Sequence, residues 1–147
     1  MQFREQFPQA AQLAAKIQTT VSLAKSRESM HQEAMEQLRC TTAGECLAGA
    51  VYACLTHSED FDGAMVTAVN HSGRSSAVGA ITGAVLGAKL TEGALPDFYL
   101  ESLEAVDALQ VLADDLAQGS PATGLFDDDW DQKYVQGLPL ENYSEYL

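Results

Sequence analysis

The sequence predicts an all-α fold, a compact orthogonal bundle of about six or seven helices. Three observations carry that prediction. No run of more than five residues alternates apolar and polar side chains with the period of two that a half-buried strand requires. Apolar residues instead recur at intervals of three and four in several separate stretches. Gly79, Gly83 and Gly87, with Ala80, Ala84 and Ala88 one step along, repeat every four positions, which lines up each set on one helix face. A face of glycine and alanine lets another backbone approach closely. Each interior glycine costs roughly 1 kcal/mol relative to alanine. The repeat therefore predicts that Gly79, Gly83, Gly87, Ala80 and Ala84 are buried at helix–helix contacts.

Taken in order, Gln9 to Ser26 follows Pro8 and places Leu13, Ile17, Val21 and Ala24 on one face, a helix with a proline start. Arg27 to Arg39 gives a weaker helix with Met30, Ala34 and Leu38 inward and His31 on its solvated side. Thr42 followed by Glu45 is a capping box, opening a helix to about Thr56 with Leu47, Ala50, Val51, Cys54 and Leu55 periodic. Ser58 or Asp60 caps the next helix, Phe61 to Asn70, with Ala64, Met65, Ala68 and Val69 inward. The polar turn Asn70 to Ser76 leads into the Gly/Ala helix, capped by Ser75 or Ser76. Thr91 to Gly93 breaks that helix. Pro96 to Ser102 and Leu103 to Ala117 are helical, with Val106, Leu109, Leu112 and Leu116 as a core stripe too short for a zipper. The domain boundaries read as residues 1–118 for the helical domain and 119–147 for a linker and an acidic, aromatic tail packed on it.

The formal net charge of −13 argues against nonspecific binding to nucleic acid or to an anionic membrane. The uncharged run from Ser75 to Ala88 is 14 residues, short of the about 20 that span a bilayer. Cys40, Cys46 and Cys54 are odd in number and form no CxxC pair; Cys46 and Cys54, eight apart on one helix face, read as core thiols, and a reduced, cytoplasmic setting follows. No signal peptide is visible at the N-terminus. Asp127 to Asp129 lack the spacing and glycine of a calcium loop. No GxSxG, HExxH or P-loop is present. The sequence names no catalytic residue.

The turn and the helix after it, His71-Ser-Gly-Arg-Ser-Ser-Ala77 and then the Gly/Ala repeat, resemble the C-terminal signature of the ADP-ribosylglycohydrolase family. The resemblance covers roughly Thr42 to Ala117, and Trp130, Lys133 and Tyr134 are similar to the family's terminal segment. It implies a helical fold and, in active members, removal of ADP-ribose with a pair of magnesium or manganese ions. Two aspartates and a hydroxyl of the family's turn help to hold that pair. By position they fall on Arg74, Ser76 and Ala77, so the resemblance implies no metal ligand and no cofactor here. The family's helix that matches Ala43 onward follows a glycine-rich turn with a tryptophan, replaced here by Leu38-Arg-Cys-Thr-Thr42. Glu45 stands near a family glutamate and is also sufficiently explained as a cap.

The expected function is that of a truncated, catalytically inactive relative that acts by binding. Its expected ligand site is His71, Ser72, Gly73, Arg74, Ser75 and Ser76, where Arg74 and a helix N-terminus would favour an anion such as the phosphates of an ADP-ribose-type ligand. His71 either borders that site or holds the turn. An acidic inhibitor or decoy that binds a basic surface is the alternative, and a hydrolase subunit completed by another chain is the second. A homodimer or a protein partner is expected, because the family's helices in this region pack against further structure.

Overall fold

The computed structural model describes residues 9–26, 30–91, 93, 95–101 and 103–118. Among them are seven helices and no strand, as the absence of period-two patterning requires. They are α1 (Gln9–Ser26), α2 (His31–Leu38), α3 (Ala43–Thr56), α4 (Phe61–Val69), α5 (Ser75–Leu90), α6 (Phe98–Glu101) and α7 (Val106–Gln118). The chain divides into two compact units, Met1–Pro96 with α1 to α5 and Asp97–Leu147 with α6 and α7. The expected linker and tail, residues 119–147, lie outside the described residues.

The first unit is built around α3, which packs against α1, α2, α4 and α5. Its composition allows this. Ala48, Gly49, Ala50 and Ala53 give it little bulk, and with Cys46 and Tyr52 they are buried on several sides. Alanine and glycine let four helices crowd one axis. Gly49 is the tightest place on α3: a Cβ there would come 2.5 Å from Cys40 Sγ and 3.1 Å from Met35 Cε. The core continues through Ala34, Met35 and Leu38 of α2, Ala68 of α4 and Val78 of α5, with Ile17, Leu23 and Ala24 of α1 packed against it.

The capping box forms as read. Thr42 Oγ1 accepts from the Glu45 N–H, and Glu45 reaches back to the Thr42 N–H at 3.1 Å. The same carboxylate accepts from the Thr41 N–H at 3.1 Å and its hydroxyl at 2.6 Å, and from Lys16 Nζ of α1 at 3.2 Å. Those donors hold the Glu45 carboxyl far below its usual range, at about 2. The cap is thereby also the tie between α1 and α3. Asp60, not Ser58, caps α4, accepting from the Gly63 N–H at 3.0 Å.

The faces differ from the sequence reading in several places. On α5 the buried residues are Val78, Gly79, Thr82 and Leu86. Ala80 and Ala84 are exposed, Gly83 and Gly87 half-buried. The larger residues of α5, spaced by four, are the buried ones, and Val78 packs against Gly49 of α3. Of the three glycines of the α5 repeat only Gly79 is closely packed, its missing Cβ 3.0 Å from Val69 Cγ1 of α4. No atom of the described residues lies within 4 Å of where a Gly87 Cβ would stand. On α2, Met35 is buried and Met30, which precedes the helix, is 72% exposed. In the second unit the stripe of α7 is exposed at Leu109, Leu112 and Leu116, not buried.

Candidate functional site

The segment from Asn70 to Ser76 joins α4 to α5. Its residues alternate in exposure. His71, Gly73 and Ser75 are half-buried and face the protein; Ser72, Arg74 and Ser76 are exposed. The inward set holds the turn. His71 Nε2–H donates to the Ala68 carbonyl at 3.0 Å, and its Nδ1 accepts from the Gly73 N–H at 3.0 Å. With one nitrogen donating and the other accepting, the Nε2–H tautomer follows. Both ring nitrogens of His71 are thus engaged within the turn. Ser75 Oγ donates to the His71 carbonyl at 3.2 Å. Neither Ser75 nor Ser76 is the N-cap of α5. That position is Arg74, and no side chain caps the helix.

The turn rests on the connection between α2 and α3. The Arg74 N–H donates to the Cys40 carbonyl at 2.8 Å. The Ser72 N–H and hydroxyl both donate to Glu36 Oε1 of α2, each at 2.7 Å. These two bonds lower the pKa of Glu36. Gly73 lies flat on the same connection: a Cβ there would overlap the Arg39 carbonyl oxygen and stand 2.8 Å from both Cys40 Cβ and the Cys40 carbonyl oxygen.

That seat is strained. Arg39 has φ 65 and ψ −38, and Cys40 has φ 50. The Cys40 N–H bonds back to the Leu38 carbonyl at 2.8 Å, closing a γ-turn of the uncommon positive-φ kind around Arg39. Side chains other than glycine's avoid that region because Cβ crowds the backbone. The Cys40 carbonyl then accepts twice, from the Arg74 N–H and from Cys46 Sγ at 3.3 Å. Burial pushes the Cys40 thiol up to about 11, far from a nucleophilic thiolate.

The structure thus brings all six expected residues into one short turn and divides them into supports and an outward set. Sequence reasoning missed Glu36, Arg39 and Cys40. Glu36 carries no local signal, because its partner lies 36 residues away. Arg39 and Cys40 carried one: they stand where the resemblance implies a glycine-rich turn.

A family model described as ADP-ribosylglycohydrolase matches residues 2–125. The chain belongs to the ADP-ribosylglycohydrolase family. The match begins well before Thr42, so α1 and α2 are part of the family domain, and the resemblance seen from Thr42 onward was too narrow. Neither the curated proteins nor the solved structures contain a match to the chain. No described helix is long and apolar enough to cross a membrane.

Proposed function

We propose that this ADP-ribosylglycohydrolase-like domain binds an ADP-ribose-type ligand through its phosphates and does not hydrolyse it by metal chemistry. The observation that carries the reading is Arg74. It is exposed at the N-cap of α5, where the family turn has a carboxylate, and the first turn of α5 contains no acidic residue. A fixed cation beside the positive end of a helix favours an anion. Ser72 and Ser76 flank it on the exposed side of the turn.

The donor set of the turn does not fit a pair of magnesium or manganese ions. Such ions take carboxylate and neutral oxygen ligands, and several carboxylates must offset their charge. Arg74, Ser76 and Ala77 offer one hydroxyl and a permanent positive charge. The carboxylate that does reach the turn, Glu36, is engaged by Ser72. The turn keeps its shape through the Glu36, His71 and Cys40 bonds.

Titration with ADP-ribose by calorimetry tests the reading. Binding is expected without added divalent ions and should be lost in Arg74→Glu. The same affinity in Arg74→Glu, or manganese-dependent release of ADP-ribose from a modified peptide, would overturn it.

A further inference from the structure

Two of the three histidines lie outside the site described above and close to one another. His31 opens α2, and His57 closes α3. Their ring centroids are 4.7 Å apart, with the planes tilted by 58°. His31 Nδ1 shares a hydrogen bond with the Tyr52 hydroxyl of α3 at 3.1 Å, and its ring meets the Tyr52 ring edge-on at 5.9 Å. His57 Nε2 shares one with Thr67 Oγ1 of α4 at 3.1 Å. Tyr52 and Thr67 are buried. His31 is exposed, as expected of a surface histidine, and is also part of a run of side chains Tyr52, His31, His57, Thr67 across three helices.

We propose that this histidine pair is an acid-released latch, which ties the start of α2 to α3 and α4 while the rings are neutral and lets α2 come away when they are charged. The geometry supplies the reason. Two imidazolium rings at this separation repel, and the half-buried setting of His57 lets water screen them only from the exposed His31 side. Charging His31 would also force its Nδ1–H to donate to Tyr52, so that the buried hydroxyl would lose an acceptor.

The surrounding charges do not cancel this. Asp60 Oδ2, in the turn after α3, is 3.9 Å from His57 Nδ1 and favours a cation there, as does the C-terminal end of α3. Asp60 is exposed, however, and engaged as the cap of α4. From α5, Lys89 reaches this corner only to bind Glu59 and the Ser58 carbonyl. On α2, Glu33 and Glu36 are exposed, and Glu36 is held by Ser72. Burial first and His31 second outweigh Asp60, so the pKa of His57 lies below that of an ordinary imidazole. A lowered folded pKa means that the unfolded or opened form binds protons first. The contribution to stability is complete above the ordinary imidazole pKa and is lost as pH falls through it.

The consequence reaches the turn from Asn70 to Ser76, because α2 carries Glu36 and runs into Arg39 and Cys40. Its seat goes with α2. This inference does not depend on what, if anything, the turn binds.

Amide hydrogen exchange resolved by residue tests it, on the whole chain, near pH 7.5 and near pH 5, with rates corrected for intrinsic exchange. Ala34, Met35 and Leu38 should lose about tenfold or more of their protection at the lower pH, while Ala50 and Ala53 of α3 keep theirs. In His31→Gln, which keeps a hydrogen-bonding side chain against Tyr52, the pH-dependent part of the loss should disappear. His57→Gln should behave alike. The proposal fails if α2 protection is independent of pH, if it falls equally in His31→Gln, or if α2 and α3 lose protection together.

Discussion

Replacing Gly73 by alanine adds a single methyl group, yet it should be among the most damaging small changes in the domain. The added Cβ would overlap the Arg39 carbonyl oxygen and stand 2.8 Å from two atoms of Cys40. The crowded atoms include backbone, which no rotamer change can clear. The turn must lift from its seat. Lifting it stretches the 2.8 Å bond from the Arg74 N–H to the Cys40 carbonyl and strains the pair from Ser72 to Glu36. Overpacking of this kind costs about 1–3 kcal/mol and each hydrogen bond about 1, so a loss of roughly 2–4 kcal/mol is expected. Gly87 is the internal control. It is half-buried like Gly73, though within a helix, and no atom of the described residues lies within 4 Å of its would-be Cβ. Gly87→Ala should stabilise by up to about 1 kcal/mol through helix propensity alone. Gly83, whose nearest neighbour would be Met65 Sδ at 3.9 Å, should behave like Gly87 and not like an overpacked core position. Urea denaturation followed by circular dichroism separates the cases, because the midpoints should move in opposite directions. A Gly73→Ala midpoint within error of the parent would refute the seat on Arg39 and Cys40.

Three further outcomes are expected. Arg39→Gly relieves the γ-turn strain and should raise thermal stability by about 1 kcal/mol, and a lower melting temperature would show that the Arg39 backbone is not strained. Thr82 is fully buried with no hydrogen-bond partner for its Oγ1 among the described residues, so Thr82→Val should stabilise the domain by roughly 1 kcal/mol in urea, with a destabilised variant counting against the orphaned hydroxyl. Glu45, held at about 2, should contribute stability that is complete above its ordinary pKa and is lost as pH falls from about 5 toward 2; the gap between wild type and Glu45→Gln should close over that window, and a constant gap would refute the carboxylate's role.

The sequence by itself determined the helices, because their signals are local. A capping box needs only Thr42 and Glu45, an N-cap only Asp60 and Gly63, and the start of α5 only the end of a polar turn. It also located the turn from Asn70 to Ser76, since its polar residues are contiguous and lead straight into the Gly/Ala repeat. Only the tertiary structure decided which helix is central. The Gly/Ala repeat of α5 pointed to α5, but a small side chain permits close approach and does not compel it. The Val78, Thr82 and Leu86 face had more area to bury, and it is the buried one. The tertiary structure alone also assigned Glu36 to Ser72, Cys40 to Gly73 and Arg74, and His31 to His57. These pairs are separated by 26 to 36 residues. No periodicity or cap couples positions that far apart; their meeting is fixed by how α2 lies on α3, which depends on the packing of every side chain between them.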